Sequence, residues 1–193
     1  ERGPGNLRTM DLSPDGTLLS TSDDGVCRVW SVASGEILAT FPKAKMEWMV
    51  TRFSPDGTTL WLSGWDQGCR PVAISRVEGG KVRIGPPGEP LFGPGSLLQE
   101  ISQDGNLFVL SNNAAGAFLV GNRLDGTVTR LSHPSVLVSA ISTDGSRVAT
   151  SSYASKSARV WSLPEGELLK ELPAPGVVSG LQFSPDGQNL TLH

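Results

Sequence analysis

The chain has 193 residues, 38% of them hydrophobic, and a formal net charge of -3. Its length and apolar content suffice for a sizeable core, while the weak negative charge argues against a nucleic-acid or anionic-membrane surface. The 23 Gly and 14 Pro mark a chain full of turns, and no apolar run approaches the length of a membrane helix, so the expected class is all-β.

Residues 1–6, with Gly3, Pro4 and Gly5, read as a lead-in loop. Strands are expected at Leu7 to Leu12, Leu18 to Ser22, Val26 to Val32 and Glu36 to Phe41, joined by Ser-Pro-Asp-Gly, Asp-Asp-Gly and Ala-Ser-Gly turns. A second set lies at Trp48 to Phe53, Thr59 to Ser63, Cys69 to Ser75 and Lys81 to Ile84. The stretch from Gly85 to Ser96, rich in Pro and Gly, is expected to be an extended surface loop. The third set spans Leu97 to Ile101, Leu107 to Ser111, Ala117 to Val120 and Thr127 to Leu131. A fourth follows at Val136 to Ile141, Arg147 to Ser151, Ala158 to Trp161 and Glu167 to Leu172. Val177 to Phe183 opens a fifth set that stops at His193. Short strands joined by tight turns make antiparallel meanders.

The first turn of each set is a variant of Ser-Pro-Asp-Gly, and its Asp (Asp15, Asp56, Asp104, Asp144, Asp186) recurs at steps of 41, 48, 40 and 42 residues. Such a period indicates one supersecondary unit per repeat, stacked on its neighbours because it cannot bury its apolar face alone. Pro presets φ, Asp bonds back to nearby backbone, and Gly accepts the positive φ that closes the hairpin. Where Pro55 becomes Gln103 or Thr143, the Asp-Gly pair persists. Turn chemistry therefore accounts for these five carboxylates without a catalytic or metal role. The repeats run over about 7–41, 48–84, 97–131 and 136–172, with a half repeat at 177–193, as one domain.

Cys27 and Cys69 stand in corresponding places one repeat apart, each followed by Arg, which is a poor arrangement for a disulfide. Two buried thiols in a reducing compartment are expected, and the cytoplasm is favoured; no signal peptide is visible, though one upstream of Glu1 is compatible with the sequence.

The third strands read Val26-Cys27-Arg28-Val29-Trp30 and Ser157-Ala158-Arg159-Val160-Trp161, and with the repeated turn they resemble WD-repeat β-propeller blades, most closely bacterial ones rich in Ser-Pro-Asp-Gly. The resemblance covers nearly the whole chain. It implies four-stranded antiparallel blades packed on both faces, with Trp30 and Trp161 between blades. Ser31 and Ser162 replace the family's Asp after Trp, and His133 in Ser132-His133-Pro134 only approximates its Gly-His pair. The buried Asp, His, Ser and Trp network of the family is therefore expected to be absent. Four and a half repeats imply an incomplete ring, a fragment of one with seven or so blades, whose open blade faces would favour self-association.

For chemistry the inventory is thin. His133 and His193 form no paired metal motif, Gly3-Pro4-Gly5 and Gly93-Pro94-Gly95 are turns rather than phosphate loops, and the sequon Asn189-Leu190-Thr191 falls in an expected strand. No catalytic residue, metal site or cofactor is expected. The resemblance places the loops between fourth and first strands and between second and third strands on one rim. That rim would carry Lys43, Lys45, Glu47 and Trp48 from one set, and Asp23, Asp24, Trp65, Asp66, Tyr153 and Lys156 from the other. Trp48, Trp65, Asp66, Tyr153 and Lys156 are the candidate partner-binding residues, because exposed aromatic side chains carry much of the energy at interfaces. Trp48 opens a strand and equally suits the core, whereas mid-strand Trp61 reads as core. The leading expectation is a non-enzymatic scaffold binding a protein or peptide. The alternative is a regulatory or ligand-sensing propeller of a larger signalling enzyme such as a Ser/Thr kinase, with Arg8, Arg52 and Gln99 lining a channel.

Overall fold

The computed structural model describes residues 7–42, 48–77, 80–112, 116–133 and 136–193. Its local organisation starts at the repeated turn. In all five copies the Gly N–H donates to the Ser carbonyl three residues earlier at 2.8–2.9 Å, with the Gly at φ between 68° and 74°. The Ser hydroxyl donates to the Asp carboxylate at 2.5–2.7 Å. The same Ser oxygen accepts the backbone N–H five residues on at 2.8–3.0 Å, and the Asp accepts the N–H two residues on at 3.0–3.1 Å. Each turn is thus a closed polar ring that fixes the register of the strands leaving it.

Among the described residues, these turns and the intervening ones produce four four-stranded antiparallel sheets and one two-stranded sheet. The chain divides into two compact units, Glu1–Leu98 and Gln99–His193. In the first unit, sheet one has β1 (Leu7–Leu12), β2 (Leu18–Asp23), β3 (Val26–Ser31) and β4 (Ile37–Phe41) in sequence order. Sheet two has β5 (Val50–Phe53), β6 (Thr59–Gly64), β7 (Gly68–Arg76) and β8 (Val82–Pro87), again in order. Leu18, Cys27, Val29 and Phe41 of sheet one pack against Phe53, Leu60, Leu62, Val72 and Ile74 of sheet two, and Trp48 joins the same core. At the first strands this interface is polar and satisfied: Phe53 N–H donates to Asp11 at 2.6 Å, and the Ser20 hydroxyl donates to Thr51 Oγ1 at 3.0 Å.

In the second unit, sheet three comprises β9 (Ser96–Ile101), which begins at the unit boundary, β10 (Leu107–Asn112), β11 (Ala117–Asn122) and β12 (Val128–Leu131). Sheet four comprises β13 (Val136–Ile141), β14 (Arg147–Ser152), β15 (Ser157–Ser162) and β16 (Leu168–Pro173). Val109, Phe118, Val120 and Leu131 of sheet three pack against Val148, Trp161 and Leu163. The hairpin of β17 (Leu181–Phe183) and β18 (Leu190–Leu192) is tied to sheet four by Arg147, which donates to the Gly187 carbonyl at 2.8 Å and lies 6.0 Å from the Phe183 ring centre.

The all-β class and the four-stranded antiparallel blades agree with the sequence reading, and Trp61 is buried as expected. Two expectations need correction. The stretch after Gly85 is not a surface loop throughout: β8 continues to Pro87, because an outermost strand has one edge on which a missing N–H costs nothing. The chain beyond it returns to β7, with Gly88 N–H to Pro71 O at 2.7 Å and Cys69 N–H to Phe92 O at 2.9 Å, and Phe92 is buried. The strand expected over Val177 to Phe183 is confined to Leu181–Phe183, although Val178 is buried and its carbonyl accepts the Ser151 hydroxyl at 2.8 Å.

This return makes Gly68 irreplaceable for a second reason besides its φ of 66°, since a Cβ there would run into the Phe92 carbonyl oxygen. Gly35 has a similar φ of 71° with open space around it. Gly35→Ala is expected to cost about 1 kcal/mol and Gly68→Ala more than about 2 kcal/mol, read from urea midpoints at constant m value.

Candidate partner-binding loops

The turn between β6 and β7 carries Trp65, Asp66 and Gln67. It is held at both ends, by Gln67 N–H to Gly64 O at 3.2 Å and by Arg70 Nε–H to Gln67 O at 3.1 Å. The Trp65 carbonyl also accepts Gly95 N–H at 2.6 Å. Trp65 is half-buried and Asp66 exposed, so the turn offers an aromatic surface beside a carboxylate.

Tyr153, Ala154, Ser155 and Lys156 form the corresponding turn between β14 and β15 in the second unit. Tyr153 is 66% exposed, and Lys156 is exposed beside it. The turn is anchored by Ala154 N–H to Ser152 Oγ at 3.0 Å, by Ala174 N–H to the Lys156 carbonyl at 2.8 Å, and by Ser155, whose hydroxyl lies 3.1 Å from His133 Nε2.

Trp48, by contrast, is 4% exposed, within the core of the first unit, and its carbonyl accepts the Ser22 hydroxyl at 2.5 Å. It is a core residue rather than a contact surface, because the chain crosses between sheets just before β5 and the indole fills the space between them. Asp24 is exposed at φ 44°, and Asp23 is half-buried in an ion pair with Arg28. Lys43, Lys45 and Glu47 lie outside the described residues. Of the residues expected to line a channel, Gln99 donates to Ser111 Oγ at 3.0 Å and Arg8 is exposed.

The sequence reading expected the Asp, His, Ser and Trp network to be absent, and what the second unit holds instead is a network of His133, Thr150, Ser155 and Trp161. His133 is 1% exposed, its Nδ1 lies 2.8 Å from Thr150 Oγ1, and Trp161 Nε1–H donates to the same oxygen at 2.8 Å. One assignment satisfies every donor once: Trp161 N–H to Thr150, Thr150 O–H to Nδ1, and Nε2–H to Ser155. Thr150 is the shared centre of this network and Ser155 its end. The buried His133 ring lies 6.5 Å, centre to centre, from the Trp161 ring. Burial moves the His133 pKa down to about 4, assisted by the nearby Arg159 cation and opposed by Glu171.

Residues 2–31 match the family model of the WD domain, G-beta repeat. The match ends just after Trp30, whose indole N–H donates to Thr21 Oγ1 at 2.9 Å, the bond that Trp161 makes to Thr150. Together with the four-stranded antiparallel blades it supports a WD-repeat propeller, a fold that generally mediates protein interactions. No curated protein matches the chain.

Both cysteines and the turn carboxylates are shifted away from their ordinary pKa values by their surroundings. Cys27 and Cys69 are free buried thiols, pushed up to about 12 by desolvation. Asp15 and Asp144 are held down at about 2, chiefly by the hydroxyls of Ser13 and Ser142. Among the described residues no group of three His, Cys, Asp or Glu side chains is placed to hold a metal ion.

His133 gives this protein an acid-sensitive stability. The unfolded chain takes up a proton near pH 6.5 that the folded chain refuses until about 4, so the His133 contribution to stability is constant above 6.5 and is lost as pH drops through that window. His133→Gln is expected to flatten the dependence between those limits in urea titrations, leaving the carboxylate-driven loss below pH 4 in place. Thr150→Val strands the Trp161 donor and the His133 acceptor together and is expected to cost about 1–3 kcal/mol by the same measurement.

Proposed function

We propose that the chain is a non-catalytic protein-interaction module, and that the turns carrying Trp65 with Asp66 and Tyr153 with Lys156 engage a protein or peptide. The observation that carries this reading is Tyr153, which stands 66% exposed on a turn whose base is bonded to buried groups. An exposed aromatic on a pre-ordered turn loses little conformational entropy on binding, so more of its burial energy appears as affinity. Trp65 has the same support from its own turn. Each aromatic is next to one charge, a carboxylate in one turn and an ammonium in the other, and such pairs orient a partner as well as attract it.

Peptides selected on the wild-type chain from a random library provide the test. Tyr153→Ala and Trp65→Ala are expected to weaken the selected peptides by about tenfold or more, with Tm kept within about 2 °C. Unchanged affinity for every selected peptide in both variants would remove these turns from the binding surface.

A further inference from the structure

The first unit holds a cavity of about 440 Å³ between the Ser-Pro-Asp-Gly turns of sheets one and two, a size within the range of small-ligand sites. It lies at the opposite end of β6 and β7 from the Trp65 turn. Pro14 and Gly57 from the two turns and Ile74 from β7 give it an apolar wall. The turns stand close together, since a Cβ added at Gly57 would lie 3.6 Å from the Pro14 ring. Ile74 N–H donates to the Thr58 carbonyl at 2.7 Å, which ties β7 to the second turn. The wall is therefore ordered before anything binds.

Three charged groups line the same cavity, Asp15, Asp56 and Arg76. Arg76 reaches from β7 to the turn of sheet one, where its Nη2 donates to the Asp15 carboxylate and, at 3.1 Å, to Thr17 Oγ1. Its Nε and Nη1 protons are bonded to no described residue, so the guanidinium keeps donors for a ligand. Asp56 accepts the Ser54 hydroxyl at 2.5 Å, and the Thr58 N–H and hydroxyl at 3.0 and 2.9 Å, all through Oδ1. Its position is thereby fixed. Two carboxylates against one guanidinium disfavour an anion and favour a cation. The Arg76 donors are then matched by an uncharged acceptor, such as a peptide carbonyl.

We propose that this cavity takes an extended peptide segment in which an aliphatic residue stands beside a Lys. The aliphatic side chain packs on Pro14, Gly57 and Ile74, a backbone carbonyl accepts from Arg76, and the Lys ammonium lies against the Asp56 carboxylate. Each part of the lining is then matched by one part of the ligand. An acidic peptide or a phosphate group would meet the two carboxylates instead and is rejected. The site rests on the reading of the chain as a peptide-binding module, but it uses neither the Trp65 turn nor the Tyr153 turn.

Titration of the isotope-labelled full chain with acetyl-Gly-Leu-Lys-Gly-amide, followed by amide NMR shifts, tests the proposal. Saturable binding with a Kd of about 1 mM is expected, with the largest shifts at Gly57, Thr58 and Arg76. Replacing Leu by Gly or Lys by Glu in the peptide is expected to weaken it at least about fivefold. Asp56→Asn keeps an acceptor oxygen for Ser54 and Thr58 and is expected to weaken the Lys peptide about fivefold. Ser75→Lys, at an exposed lining position, sets a cation at the site and carries the same test if Asp56→Asn does not fold. Trp65→Ala is expected to bind this peptide as the wild type does, so failure of the Trp65 and Tyr153 turns and failure of the cavity are read separately. No saturable shift up to about 20 mM, shifts confined to the Trp65 turn, or equal binding of the Glu peptide would overturn the proposal.

Discussion

The hydrogen bond from Ser to Asp inside each repeated turn is the interaction on which the remaining structure depends. A four-stranded meander of short strands holds its register only if its reversals do, since a slip of one residue turns every side chain to the other face. Pro is dispensable in that turn, as Gln103 and Thr143 demonstrate, because Ser102 and Ser142 still bridge carboxylate and backbone. The Ser oxygen satisfies the first amide of the returning strand, and the Asp satisfies the one before it. Lowered carboxylate pKa values at Asp15, Asp104, Asp144 and Asp186, with the Ser hydroxyl as the largest cause each time, are the electrostatic trace of the same arrangement.

Fixed registers let sheets be apolar on two sides. Strands that alternate between a core face and water would read hydrophobic and polar in turn; here β2, β3, β6, β10, β11 and β15 carry Leu, Val, Trp or Phe on both sides. Several buried hydroxyl residues are bonded from one repeat to the next. Ser20 to Thr51, Ser22 to the Trp48 carbonyl and Ser151 to the Val178 carbonyl are of this kind. Each replaces a hydration that burial removes, and each links a strand to the following repeat.

The fold was legible in the sequence because its signals are local: an Asp-Gly pair, a positive φ and a strand of six or so residues all lie within one window. What the sequence did not reveal depends on residues distant along the chain. Pro86 and Pro87 read as loop, and only the pairing of β8 along β7 shows that they lie on an outer edge. Trp48 opens a predicted strand and looks like a rim aromatic, yet Leu60, Leu62 and Phe41 around it come from two different sheets. His133 is 17 residues from its Thr partner and 22 from its Ser partner, a separation at which no spacing rule identifies a bond. At the candidate turns, composition marked Trp65 and Tyr153, but the bonds that hold those turns come from Gly95, Ala174 and His133.

One rule does emerge from comparing the sheets, and it could have been read from the sequence had the registers been known. The position opposite the second residue of the second strand is Trp30, Val72, Gly121 and Trp161 in sheets one to four, facing Leu19, Leu60, Phe108 and Val148. Volume is exchanged across the pair: the largest second-strand residue, Phe108, faces Gly, and both Trp residues face aliphatic side chains. The residue two places further along the second strand is Thr21, Leu62, Leu110 and Thr150. A hydroxyl therefore occurs only where an indole must be satisfied, and Leu where there is no donor to accept. Packing and polar satisfaction are settled together by two residues in each sheet, so Trp can be gained or lost between repeats only if the second strand changes with it. The buried His133 is a further consequence, since Thr150 receives the Trp161 N–H and its own proton needs an acceptor, which the ring supplies.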